Sequence, residues 1–218
     1  MPAVGRDTLI AATRKLVRTI PPGQITRLDI ARAAGVDPAL IRYYFGNKEA
    51  LLVAAVLEAG KDMRGRMRQN TAQAKSPADK LRRRMATLLE ILYEDPTLHH
   101  LIIERIIHNY SRQAREFRHE MVFGTCTDLA SVIEQGTAAG EMGRVDPRHL
   151  FLAMIGACSY PMGERALFDE LMGKPASRED LAAYTHFVTE LFINGLAGMA
   201  GKRSRKREAE AQLERAHS

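Results

Sequence analysis

The amino-acid sequence predicts an all-α fold. Over its 218 residues, apolar side chains recur at spacings of three and four, which is the period of one helix face. Runs of β-branched residues are short, so the sequence does not favour strands. Glycine and proline interrupt the pattern at intervals and divide it into separate helices.

Three short helices are predicted in the first part of the chain. The first ends before Pro21-Pro22-Gly23, and its apolar face contains Leu9, Ala12, Leu16 and Ile20. The second begins after Thr26, a suitable N-cap with Asp29 three residues later, and its short apolar side contains Leu28, Ile30, Ala31 and Ala34. Gly35-Val36-Asp37 forms a turn, and Asp37 caps a third helix over Pro38–Tyr44.

Longer helices are predicted after this segment. A connecting helix opens at Lys48 and runs through Met63, and another runs from Ser76-Pro77 to Asp95-Pro96. The remaining helices are expected over 97–110, 116–139, 147–172 and 178–198, with a kink or break at Pro161. The segment 201–218 has no apolar face to bury, so it is expected to be mobile or weakly helical.

Positive charge is concentrated at the two ends of the chain. The net charge is +6, and residues 1–48 contain eight lysines and arginines against three aspartates. Residues 201–218 contain six lysines and arginines against three glutamates. A basic first segment on a nearly neutral body indicates a polyanionic partner such as nucleic acid. The basic tail is either a solvated run or an additional phosphate contact.

Two short helices joined by a three-residue turn with a glycine predict a helix-turn-helix, whose second helix enters the DNA major groove. The segment Thr26–Leu52 resembles the signature of TetR-family regulators. It has a threonine-led helix, Ile-Ala, Ala-Gly-Val, an aromatic pair before Phe45, and Lys48-Glu49 with a Leu-Leu pair. The resemblance covers about residues 6–56, and the rest of the chain is similar only in helix order.

The resemblance implies roles for particular residues. It places Pro38, Ala39 and Arg42 towards the bases, and Thr26, Arg27, Tyr43, Tyr44 and Lys48 near phosphates. Arg42 can donate two parallel hydrogen bonds to guanine, and Ala39 can contact a thymine methyl group. The family usually has tyrosine in place of Arg42, so reading a base and contacting a phosphate are both open for this position. Thr26 alternatively acts only as a cap, and Tyr43 only as a packing residue. The expected core residues are Ile30, Ala34, Val36, Ile41 and Phe45.

The resemblance also implies the domain organisation. Residues 1–47 are expected to form the DNA-binding domain, 48–74 the connecting helix, 75–200 a ligand-binding and dimerisation domain, and 201–218 the tail. The last two long helices, about 147–172 and 178–198, are expected to pair with those of a second copy. Apolar residues on these helices exceed the needs of one chain's core: Phe151, Met154, Ile155, Tyr184, Val188, Leu191 and Phe192.

An apolar pocket with a few polar groups is expected in the second domain, for a small, moderately hydrophobic effector. Its candidate lining residues are Leu89, Tyr93, Ile103, Ile107, Phe123, Cys126, Phe151 and Ile155. Each of them could equally belong to an ordinary core. The histidines do not show helical metal-ligand spacing with carboxylates, so no metal site is expected. No cofactor is predicted either.

The sequence thus predicts a cytoplasmic homodimer that binds double-stranded operator DNA, most simply as a repressor released by its effector. It contains no stretch of membrane-spanning length and no apolar leader, and its two cysteines, Cys126 and Cys158, lie in apolar helical patterns that favour reduced thiols. One alternative is a structural DNA-binding protein or an activator with no small-molecule inducer. The other is an enzyme using the histidine-rich middle, but neither a nucleophile motif nor a metal motif supports it.

Overall fold

The structure, a computed structural model, describes the backbone of residues 4–216 and the side chains of residues 5–200. Every regular element in this range is helical, which confirms the all-α prediction. In chain order the helices are α1 (Val4–Leu16), α2 (Arg27–Ala34), α3 (Ala39–Phe45), α4 (Lys48–Ala72), α5 (Pro77–Glu94), α6 (Pro96–Ile102), α7 (Arg112–Arg118), α8 (Gly124–Ala138), α9 (Pro147–Gly163), α10 (Arg165–Met172) and α11 (Arg178–Ala216). π-Helical turns follow α6 at Ile103–Ile107 and α7 at His119–Phe123.

The described chain divides into two compact units, each built from segments that are distant in sequence. The first unit contains the residues up to Arg66 together with Ile91–Met121, and it therefore includes α1–α3. The second unit contains Met67–Glu90 and the residues from Val122 onward. The segment 91–121 thus folds with the helix-turn-helix, although it follows residue 75, where the second domain is expected to begin. The functional division at residues 47, 74 and 200 stays a prediction.

The first unit has one hydrophobic core that holds the short helices in place. Ile30 of α2 and Ile41 of α3 are fully buried, and Ala34, Val36 and Phe45 pack against the same core. This confirms the core predicted for the helix-turn-helix. The segment 91–121 joins the unit because four of its apolar side chains enter this core: Leu101, Ile102, Ile106 and Phe117.

The second unit buries apolar side chains from α5, α8, α9 and α11. Met85 of α5 and Cys158 of α9 are both buried, with their sulfur atoms 3.8 Å apart. Burial raises the pKa of the Cys158 thiol to about 12, so this group is a packed apolar side chain at neutral pH. At the surface of the unit, the guanidinium of Arg82 pairs with the Glu190 carboxylate at 2.7 Å.

The segment 147–172, predicted as a helix with a kink or break at Pro161, is two helices that are separated three residues after this proline. The helix breaks at Glu164, where the backbone leaves the helical conformation (φ −104°, ψ 50°), and α10 follows. Pro161 lies inside α9, which continues beyond it to Gly163 instead of ending there. A proline lacks the N–H that would bond the carbonyl four residues earlier, here that of Ala157. The Tyr184 hydroxyl of α11 donates a 2.8 Å hydrogen bond to this carbonyl and takes the place of the missing donor.

Other helix boundaries also differ from those predicted, beginning with α1, which ends at Leu16 and not just before Pro21. The helix expected over 97–110 ends at Ile107, after the π-helical turn, and the one expected from residue 116 begins at Arg112 because the Ser111 hydroxyl caps it. In addition, α11 does not end near residue 198, because its backbone stays helical to Ala216. It thus includes most of the segment 201–218, which was predicted to be mobile or weakly helical.

Candidate nucleic-acid interface

The start of α2 is fixed by a reciprocal cap between Thr26 and Asp29. The Thr26 hydroxyl oxygen accepts a hydrogen bond from the Asp29 backbone N–H at 3.1 Å, and the Asp29 carboxylate accepts one from the Thr26 N–H at 2.9 Å. The Thr26 hydroxyl also donates to this carboxylate at 2.6 Å, and this bond is the main cause that lowers the pKa of Asp29. The hydroxyl proton of Thr26 is therefore already engaged by the cap.

The turn into α3 also forms as its local sequence predicts. Gly35 ends α2 in the left-handed conformation (φ 65°), where a side chain would be strained. The Asp37 carboxylate accepts a 2.7 Å hydrogen bond from the Ala39 N–H, and this contact caps α3. These two residues set the direction in which α3 leaves the turn, so they position its first residues beside the start of α2.

Five of the eight predicted DNA contacts line one surface depression. This recognition groove, about 450 Å³ in volume, is formed by Thr26, Arg27, Leu28, Pro38, Ala39 and Arg42. All of these side chains are exposed. The sequence prediction omits Leu28 and assigns it to the apolar side of α2, but 55% of its surface is exposed. The helical period gives the reason, since Leu28 lies two residues from the buried Ile30 and so on another face.

Arg27 and Arg42 supply the positive charge of the recognition groove. Neither guanidinium forms an ion pair with any described residue. Most other arginines of this unit behave differently, as Arg14 does by pairing with Asp62 at 2.7 Å. Two unneutralised arginines in an exposed groove at the starts of two helices fit the phosphates and base edges of a DNA groove.

The two tyrosines at the end of α3 differ in their surroundings. Tyr43 is 77% exposed, and its ring contacts that of Tyr44 edge to face with centroids 4.8 Å apart. Tyr44 is half-buried and packs towards Gly5 of α1 and Phe45. The exposed Tyr43 therefore suits a phosphate contact better than a role in the core, and Tyr44 holds α1 against α3.

Lys48, expected near a phosphate, has backbone partners in this structure. Its ammonium group donates hydrogen bonds to the carbonyl of Ile25 at 2.9 Å and to that of Pro22 at 3.4 Å. It thereby anchors the loop between α1 and α2 to the start of α4. The sequence carries no signal for this contact, because its partners are backbone atoms more than twenty residues away.

The candidate lining residues of the effector pocket are divided between the two compact units. Tyr93, Ile103 and Ile107 belong to the first unit. Those of the second unit are Leu89, Phe123, Cys126, Phe151 and Ile155. Leu89 is a buried core residue, whereas 58% of the Phe123 surface is exposed. This lining stays a prediction.

The described residues contain no group of three or more His, Cys, Asp or Glu side chains that could hold a metal ion. None of their helices is both long and apolar enough to span a membrane.

Taken together, the capped α2, the Gly35 turn and the basic groove at the start of α3 define a helix-turn-helix DNA-binding protein. Comparison with known families agrees. Residues 9–55 match the model of the tetR family of bacterial regulatory proteins, and residues 74–202 match that of the tetracyclin repressor-like C-terminal domain. The chain belongs to the TetR family of transcriptional regulators.

Individual proteins are similar to this chain in sequence or in fold. The chain is 33% identical over 98 residues to the transcriptional regulator BetI of Rhizobium meliloti (strain 1021), covering 43% of this chain and 46% of that protein. It thus spans about half the length of this curated relative. Its fold resembles that of the regulator FadR from Bacillus subtilis, solved in complex with stearoyl-CoA, at a TM-score of 0.66 and 22% identity over 87% of this chain and 98% of that one. A Rhodococcus sp. RHA1 protein of unknown function gives a TM-score of 0.72 at 18% identity, over 90% and 97% of the two chains.

Proposed function

We propose that this regulator is a dimeric repressor that a small, moderately hydrophobic effector releases from a palindromic operator. The observation that carries the DNA-binding part is the recognition groove, where Arg27 and Arg42 stand exposed and without a carboxylate partner among the described residues. Arg42, on α3, can donate two parallel hydrogen bonds to guanine, while Arg27, at the start of α2, suits a phosphate.

Exposed apolar rows on two helices of the second unit support dimerisation. On α11, Phe187, Leu191, Gly195 and Met199 follow one another at intervals of four, and all are exposed. On α9 a similar row consists of Leu152, Gly156 and Tyr160. A Cβ atom built at either glycine would meet no atom within 4 Å, so a helix of a second copy has room to approach closely.

The proposed interface uses the helices predicted from the sequence, but not every side chain predicted for it. Met154 and Val188, expected to contribute, are buried in the core of their own chain. Leu191 is exposed as the prediction requires. A twofold dimer places two recognition helices about 34–36 Å apart, one DNA turn, which matches a palindromic operator.

The effector would act by a population shift. It would bind more tightly to a dimer whose recognition helices no longer match this spacing, and would thereby lower the affinity for operator DNA. Operator DNA must then lower the affinity for the effector by the same factor. Equal effector affinity with and without operator would contradict release by this mechanism, and would favour an activator or a structural DNA-binding protein.

The first experiment measures binding of the purified protein to fluorescent DNA from upstream of its own coding sequence, with random DNA as competitor. We expect tight, salt-sensitive and selective binding by the wild type, and Arg42→Ala to lose about 1–3 kcal/mol of discrimination. Arg115→Gln, which changes an exposed arginine of α7, is the matched control and should bind like the wild type. Selectivity that is equal in Arg42→Ala and wild type would exclude base reading by Arg42.

A further inference from the structure

Arg84 lies on the apolar face of α5 in the second compact unit. It is flanked along the helix by the buried Leu81 and by Met85 and Leu88, and only 8% of its own surface is exposed. Among the residues whose side chains are described, it is the only buried arginine or lysine. A guanidinium keeps its proton in proteins, so this position holds a permanent positive charge with little access to water.

This buried charge has one weak partner. The Arg84 Nη1 atom lies 3.7 Å from Oδ2 of Asp128, which is longer than a hydrogen bond, and the Asp128 side chain is 58% exposed. The two preceding residues are exposed or half-buried, yet they are better paired: Arg82 bonds Glu190 at 2.7 Å, and Arg83 bonds Asp79 at 3.1 Å. Burial lowers the pKa of Arg84, and Asp128 opposes this only in part.

The other charged groups that face this region do not compensate Arg84. Burial raises the pKa of the Cys126 thiol, near the start of α8. Asp146, Arg148 and Arg84 all lie close enough to influence this pKa as well. Asp146 is the second carboxylate there, but its two oxygens accept hydrogen bonds from Arg148. Arg84 thus makes no hydrogen bond to a described carboxylate shorter than its contact with Asp128, and none of its nitrogens is cut off from solvent altogether, so an anion can reach the guanidinium and pair with it more closely than Asp128 does.

We propose that Arg84 is an anchoring residue for the effector, and that this effector is an anionic amphiphile with a carboxylate or phosphate head and an apolar body. The head group would accept two parallel hydrogen bonds from the guanidinium and displace Asp128 from it. Leu88, half-buried one turn after Arg84 on α5, suits the apolar body. This inference rests on the proposed function only in assuming that the second unit binds an effector.

Isothermal titration of the full-length protein with three probes of equal chain length tests the inference: octanoate, octyl phosphate and octan-1-ol. We expect the wild type to bind at least one of the two anions about tenfold or more tightly than the alcohol, and Arg84→Gln to lose about tenfold in affinity for that anion but not for the alcohol. The two anions distinguish a carboxylate from a phosphate head. Arg83→Gln is the matched control and should bind like the wild type.

Asp128→Asn keeps the test decisive if Arg84→Gln does not fold. It removes the carboxylate that competes for Arg84, so anion binding should tighten, whereas a purely structural ion pair predicts no gain. The inference is overturned if the wild type does not prefer either anion to octan-1-ol, if Arg84→Gln binds both as the wild type does, or if Asp128→Asn binds them no more tightly. Release of operator DNA is measured separately. Anions that bind through Arg84 without releasing DNA would refute the proposed repressor mechanism and leave this inference standing.

Discussion

The hydroxyl group of Tyr184 on α11 donates a 2.8 Å hydrogen bond to the backbone carbonyl of Ala157 on α9. That carbonyl lies four residues before Pro161, which has no N–H to offer it. A side chain from one helix thus replaces a backbone bond missing from another, and this lets α9 run on to Gly163 in spite of its proline.

Tyr184→Phe is expected to lower the free energy of unfolding by about 0.5–1.5 kcal/mol, because the Ala157 carbonyl loses its donor. The cost should be smaller in a Pro161→Ala background, where the new alanine supplies a helical N–H to the same carbonyl. Urea unfolding of the wild type, the two single variants and the double variant measures this coupling. An equal cost of Tyr184→Phe in both backgrounds would show that the hydroxyl does not substitute for the missing backbone donor.

Gly60 on α4 is the point at which the buried ring of Phe117 meets that helix. A Cβ atom at Gly60 would lie 2.2 Å from Cζ of Phe117, and the Arg64 guanidinium stands 5.5 Å from the centre of the same ring. Gly60→Ala is therefore expected to destabilise the protein by about 1–3 kcal/mol, although alanine favours a helix. Thermal and urea unfolding measure the change.

Gly65→Ala on the same helix is the matched control, since a Cβ there meets no atom within 4 Å. It should stabilise the protein by up to about 1 kcal/mol through helix propensity. Phe117→Leu combined with Gly60→Ala should recover part of the loss by shortening the side chain that clashes. Stabilisation of both glycine variants to the same extent would refute the close approach of Phe117.

These contacts show where sequence reasoning reaches its limit. The α2–turn–α3 unit could be predicted because its signals are local: Asp29 follows Thr26 by three residues, and Gly35 and Asp37 mark the turn. The Gly60–Phe117 contact joins positions 57 residues apart, and no local pattern encodes it. The exposure of Leu28 was missed for a different reason, since the prediction grouped all the apolar residues of this short helix on one side although the helical period places Leu28 away from Ile30.

The row Phe187, Leu191, Gly195 and Met199 on α11 gives a prediction about assembly. Leu191→Glu is expected to convert the proposed dimer into a monomer, because a carboxylate would be buried in the proposed interface without a partner. It should also weaken operator binding, since one protomer contacts only one half-site. Sedimentation equilibrium measures the first effect, and DNA titration of the same sample measures the second.

Leu28→Glu is the control for assembly, because Leu28 is likewise exposed but lies in the recognition groove. It should weaken DNA binding while the protein stays dimeric. A Leu191→Glu variant with the mass of the wild-type dimer would place the interface elsewhere.

The start of α11 gives a prediction about pH. The Ser177 backbone N–H donates a 2.8 Å hydrogen bond to the Asp180 carboxylate, Lys174 lies 3.0 Å from it, and together they lower the pKa of Asp180 from 3.8 to about 2. A carboxyl group with a lowered folded-state pKa stabilises the fold above its unfolded-state pKa and loses this contribution as the pH falls towards the folded-state value. The stabilisation by Asp180 is therefore present at neutral pH and is lost between about pH 4 and pH 2.

Asp180→Asn should accordingly lower the free energy of unfolding most at neutral pH, and the difference from the wild type should shrink as the pH falls below about 4. Urea unfolding at a series of pH values measures this difference directly. Lys174→Gln should reduce the pH dependence less than Asp180→Asn does, because the Ser177 backbone bond is the larger cause of the shift. A difference between Asp180→Asn and wild type that stays constant from neutral pH to pH 3 would mean that the Asp180 carboxylate does not stabilise α11 through its charge.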